Sequence, residues 1–192
     1  MKTLTRDRIL EEALKLVMTE GMRRASLTEL ARRLAVVKSA LYHHFPGGKE
    51  EILGDVFAKV EQGILADAWR AVEAAHGTRA RLEALARATV VHIVRLARLY
   101  PVREETADQI ELYFVERRRA FLDRERAQIA AVIRDGIAAG EVREVDVELA
   151  AAALQGGLRQ IVRTFALRPG RKSAPVLSRV VDLVFSGIGV VS

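Results

Sequence analysis

Cysteine is absent from this chain, which removes disulfides, thiolate metal sites and cysteine nucleophiles from consideration. Aromatic residues are scarce, at 5% of the sequence. No window of about 18 apolar residues occurs, so no transmembrane helix is expected. The opening MKTLTRDRILEEALKLV has no uninterrupted apolar core behind its basic start and does not read as a secretory signal. A soluble, cytoplasmic protein is the expectation. Strand-like alternation, internal repeats and low-complexity tracts are missing too. What fills the 192 residues is Ala, Leu, Val, Arg and Glu, half of the chain being hydrophobic and 29% charged. That is a helix-former's composition with enough apolar mass for a core.

The formal charge is +6, and residues 1–50 carry ten Lys/Arg against six Asp/Glu, so four of those charges sit in the first quarter. Thr5 can cap a first helix bearing Ile9, Ala13, Leu14, Leu16 and Val17, stopped by Gly21. SLTE, from Ser26 to Glu29, has capping-box spacing, in which Ser and Glu satisfy each other's backbone donors. It opens a short helix carrying Leu27, Leu30, Ala31 and Leu34. A third fits Lys38 to His44 and ends at Phe45-Pro46-Gly47-Gly48, giving a helix-turn-helix. Longer helices follow. One runs from about Lys49 to Ala75, and the next ends at Tyr100-Pro101. A shorter segment reaches about Ile110, and a long helix then spans Glu111 to Ala139. Asp146 caps another, and the last covers Ala174 to Gly187. The expected fold is all-α: a helix-turn-helix domain over 1–48 and a larger helical domain over 49–192.

The chemistry of VVKSALYHHFPGGKEE can be narrowed by geometry. His43 and His44 are helix neighbours pointing about 100° apart, whereas helical metal ligands sit at i and i+4. A phosphate loop needs a glycine where His43 stands. No nucleophile or paired carboxylates stand on a structured turn, and ERRRAFLDRERAQ reads as a solvated, ion-paired face. No metal, cofactor or catalytic residue is therefore expected. Nucleic acid is the reading that remains. A recognition helix enters the major groove while flanking side chains hold phosphates, and Lys38, Ser39, Tyr42, His43 and His44 are donors of compact reach. The competing reading is a small bundle making protein contacts.

Residues 5–53, from TRDRILEEALKLVMTEG through ASLTELARRL to ALYHHFPGGKEEIL, resemble the DNA-binding domain of the TetR family of transcriptional regulators. The specific elements are R-x-x-I-L, the S-L-T-E-L-A helix start, and L-Y-x-H-F followed by K-E-E. The resemblance implies a homodimer on a palindromic operator, usually a repressor that lets go when a small molecule enters the helical domain. By position it places Ser26 and Thr28 on phosphate, Lys38, Ser39 and Ala40 towards bases, and Tyr42, His44 and Lys49 on phosphate. Tyr42 can equally be a packing residue. The family's usual inter-helix turn, A-G-V-S, is here Leu34-Ala35-Val36-Val37. Either Ala35 takes a left-handed conformation at some cost, or the turn has shifted to a right-handed form. A ligand-binding or adaptor protein of this fold without DNA binding is the alternative.

Two expectations concern the larger domain. Trp69, His92, Tyr113, Phe114 and Phe121 interrupt aliphatic faces and are candidates for contacting a hydrophobic or aromatic effector. Each could instead be core, and His92 in particular fits a hydrogen-bonded core histidine. The stripes Ala150, Ala153, Leu154, Gly157, Leu158, Ile161, Phe165 and Leu177, Val180, Val181, Val184, Ile188 suit a two-fold interface through the last two helices. Packing inside one subunit is the other possibility.

Overall fold

A computed structural model describes residues 3–99, 115–162 and 174–188. These residues form eight helices and no strand: α1 Arg6–Glu20, α2 Leu27–Leu34, α3 Lys38–His44, α4 Gly48–Glu73, α5 Thr78–Leu99, α6 Val115–Ala138, α7 Val147–Ile161 and α8 Ala174–Ile188. The all-α reading holds. The short segment before residue 111, Tyr113, Phe114 and Phe165 lie outside the described residues.

The chain divides into two compact units, Met1–Gln62 with Leu99–Val115, and Gly63–Arg98 with Glu116–Ser192. The first unit therefore runs past Gly48 into the first half of α4. The cause is packing: Ile52, Leu53 and Val56 on α4 share one core with Ile9, Leu16, Leu30, Leu41 and Phe45. A three-helix domain this small buries too little apolar surface by itself, and a fourth amphipathic face completes it. In the second unit α4, α5, α6, α7 and α8 contribute Val72, Leu85, Ile133, Leu154 and Val181 to a second core.

Local chemistry sets the helix ends. Thr5 Oγ1 accepts from Arg8 N at 3.3 Å, and Asp146 Oδ1 caps α7 at Leu149 N at 3.0 Å. Glu141 reaches back to the free N–H of Thr78 at the start of α5, a bond that draws its carboxyl below the ordinary range. Only half of the capping box at α2 forms. Ser26 Oγ accepts from Glu29 N at 3.2 Å, whereas the Glu29 carboxylate turns to Arg32 and Arg33. Three charge-assisted bonds, two from Arg32 and one from Arg33, outcompete one backbone donor.

Candidate nucleic-acid interface and helical pocket

The turn between α2 and α3 resolves the question raised by Leu34-Ala35-Val36-Val37. Ala35 has φ 56° and ψ 46°, the left-handed conformation, and among the described residues it is the one non-glycine with positive φ. Its N–H bonds Arg32 O at 3.2 Å, and Val36 N–H bonds Ala31 O at 3.0 Å. This is a Schellman closure with alanine where glycine is usual. Val36 packs against the first core. Val37 turns outward, 69% exposed, and provides no side-chain cap for α3.

On α3 the side facing solvent is Lys38, Ser39, Tyr42 and His43, with Leu41 buried beneath and Ala40 and His44 half-buried. The His43 and His44 rings meet edge-on at 5.6 Å. Arg6 fixes the far end of the helix. Its guanidinium donates to His44 O, bonds Asp55 Oδ2 at 2.6 Å and lies 4.0 Å over the Phe45 ring. One side chain thus ties α1 and α4 to the C-terminus of α3. Tyr42 fills the packing role. A Cβ on Gly48 would stand 3.1 Å from its ring, so the missing side chain seats the ring at the start of α4. Gly48 also has φ 65°, which favours glycine independently.

Lys49 is half-buried and its Nζ donates to Met22 O at 3.0 Å, holding the turn before α2. Thr28 is exposed; Ser26 is half-buried and engaged as the cap. The arginines of α2 are spoken for. Arg33 contacts Glu12 at 3.5 Å, Glu29 at 2.9 Å and Glu20, and the two arginines hold Glu29 down to about 2. Arg6 and Lys59 are also paired, with Asp55 and Asp7. Arg23 and Arg24, three and two residues ahead of the Ser26 cap, are exposed and in no ion pair among the described residues. Neither stands out from the sequence as a site residue. The available signal was a basic doublet one residue removed from a cap.

In the second unit the described effector candidates are Trp69, His92 and Phe121, all half-buried, and Trp69 packs on the core. His92 Nδ1 is 2.6 Å from Asp67 Oδ2, and this bond lowers the Asp67 carboxyl. Gly63 allows the ring to approach, since a Cβ there would be 3.0 Å from His92 Cε1. The histidine is hydrogen-bonded, as its core reading expects. Buried polar atoms supply what the sequence did not show. Gln155 is 4% exposed and donates to Leu122 O and Glu125 Oε2, both at 2.8 Å. Gln128 Nε2 donates to Leu65 O at 3.2 Å, while Gln128 Oε1 and Thr89 Oγ1 are buried without a hydrogen-bond partner among the described residues.

The comparisons with known proteins agree with this geometry. Residues 9–56 match the family model for bacterial regulatory proteins of the tetR family. The crystal structure of the TetR family transcriptional regulator PfmR from Thermus thermophilus is 32% identical, covers 99% of each chain and superposes with a TM-score of 0.69. This chain belongs to the TetR family. It is a DNA-binding transcriptional regulator, not an enzyme. Two Pseudomonas putida proteins, the HTH-type transcriptional regulator SrpR and the uncharacterized HTH-type transcriptional regulator TtgW, are each 36% identical over 63 residues, one third of this regulator. Those matches span 29% of SrpR and 46% of TtgW, so they speak for the DNA-binding part. Among its described residues, no helix is long and apolar enough to cross a membrane.

Proposed function

We propose that this regulator is a repressor that dimerises on a palindromic operator and is released by a small, mainly apolar effector. The observation that carries the DNA part is the solvent-facing side of α3. Lys38, Ser39, Tyr42 and His43 stand exposed in a helix-turn-helix whose α2 arginines are already neutralised by carboxylates. Lys38 and Ser39, with the half-buried Ala40, face base edges. Thr28, Tyr42, His43, His44 and the Ser26 end of α2 take phosphate, joined by Arg23 and Arg24. Lys49 positions that edge through Met22 as well as lending charge. The functional division remains a DNA-binding part over 1–48 and an effector and dimerisation part over 49–192, joined by α4.

The effector reading rests on the second unit. Trp69 and Phe121 offer apolar surface, and the Asp67-oriented His92, Thr89 and Gln128 offer the few polar groups such sites use. The dimer reading rests on α7 and α8, but on their outer faces. Ala150, Leu154, Leu158, Ile161, Leu177 and Val181 are buried within the subunit, and a Cβ on Gly157 would meet Val180 Cγ1 at 2.7 Å. Leu149 and Leu183, by contrast, are 66% and 77% exposed, and Leu149 shares its helix face with the exposed Ala153 and an uncrowded Gly156. A mobility shift on the DNA flanking its own gene tests the proposal. A retarded complex that survives excess random DNA supports it. No complex at micromolar protein overturns it in favour of a ligand-binding role, the reading favoured by the uncapped α3.

A further inference from the structure

Val37 is poorly placed for the fold that holds it. An N-cap residue normally offers an oxygen to the first free backbone donors, and Val37 makes no such bond. Its two methyl groups are also wasted on burial, since the residue is 69% exposed while Val36 beside it packs on the core. The left-handed Ala35 ends α2 just before them, and of the two residues that follow, Val36 packs inward and Val37 faces out. Directly after Val37 come Lys38 and Ser39, both exposed.

Helix-turn-helix proteins bring the N-terminal residues of the second helix to base edges. The one apolar group on the floor of the major groove is the thymine C5-methyl, which is matched by small apolar side chains. We propose that Val37 is a specificity-determining residue that reads a thymine methyl in each half-site. This rests on the DNA-reading role assigned above to α3. A valine there rejects cytosine at the same step, because cytosine presents no methyl and its amino group would lose a water partner against the isopropyl group. The neighbouring Lys38 is then free to take a guanine edge, so one turn of chain reads two adjacent positions by different chemistry.

The test begins with binding-site selection from a duplex library with a random core, using the full-length protein. Each thymine of the enriched sequence is then replaced in turn by deoxyuridine, which deletes only the methyl group. Wild type should lose about fourfold in affinity at one thymine per half-site, the worth of one buried methyl. Val37→Ser should bind the thymine and uracil duplexes equally at that step, Val37→Ala should discriminate less than wild type, and both should keep their response at every other position. Val37→Ser restores an N-cap, so it should be at least as heat-stable as wild type, and a folding defect cannot explain its loss of discrimination. An enriched site without a methyl-sensitive thymine, or one whose sensitivity persists in both variants, overturns the role of Val37 alone. Failure to enrich any sequence overturns the DNA-reading role of α3, and the inference with it.

Discussion

Single residues around the α2–α3 turn carry stability costs that can be recovered. Alanine in the left-handed region costs about 1 kcal/mol relative to glycine, and an absent N-cap oxygen costs about 0.5–2 kcal/mol. Ala35→Gly and Val37→Ser should each raise the thermal midpoint, by roughly 2–4 °C per kcal/mol for a chain of this size. The two sites are near neighbours, and a double variant that falls well short of the sum would show that they share one strain. The missing cap could be read from the spelling of the turn; the cost at Ala35 could not, because an alanine there fits either handedness until Val36 has to reach the core. Glu29 gives the acid side. Arg32 and Arg33 lower its carboxyl to about 2 from an ordinary 4.5. A depressed carboxyl contributes stability above its ordinary value and loses it as pH falls. The stability difference between wild type and Glu29→Gln should therefore be largest above about pH 4.5 and vanish towards pH 2. A difference that is flat over that window would mean that the pairs contribute nothing.

At the scale of helices, two adjacent glycines on α7 behave oppositely. Gly157 lies against Val180 of α8, and a methyl group there would sit 2.7 Å from a stiff β-branched side chain. Gly157→Ala should destabilise the fold by about 1–3 kcal/mol, the usual cost of overpacking. Adding Val180→Ala should return part of that loss in a denaturant titration. If Gly157→Ala is neutral without the second change, α7 and α8 are less tightly packed than described. The small-residue stripe was legible in the sequence as a place where helices come close. Which helix fills it was not, because period 3.6 marks a face without naming its partner. Gln155 makes the same point. Its spacing puts it beside an apolar stripe, and only the neighbouring Leu122 carbonyl and Glu125 make its burial tolerable.

For the whole molecule, dimerisation through the outer faces of α7 and α8 has a direct test. Gly156→Arg and Leu183→Arg place charge on exposed positions and should leave the subunit folded. Each should give monomers in sedimentation and lose operator affinity by at least tenfold, since a single half-site holds only part of the contact surface. Dimers that persist in both variants would move the interface elsewhere. Lys49→Ala bears on DNA through charge: it should lower affinity for all sequences alike and flatten the log–log salt dependence by about one counterion. A slope equal to that of wild type would leave Lys49 only the structural bond to Met22.

The sequence alone determined the helical class, the helix-turn-helix and the Thr5, Ser26 and Asp146 side-chain caps, since these depend on neighbours within four residues and on fixed turn chemistry. The family resemblance was legible for the same reason: L-Y-x-H-F and K-E-E are contiguous. Tertiary structure decided what depends on residues far apart in the chain. It spent the Arg33 charge on Glu12 and Glu20, turned His92 to Asp67, and ran the first unit into α4 by burying Ile52 and Leu53 with Leu41. It also separated Val36 from Val37, one for the core and one for solvent. Composition counts charges and apolar groups; only folding determines which are consumed inside the molecule and which are left to face a partner.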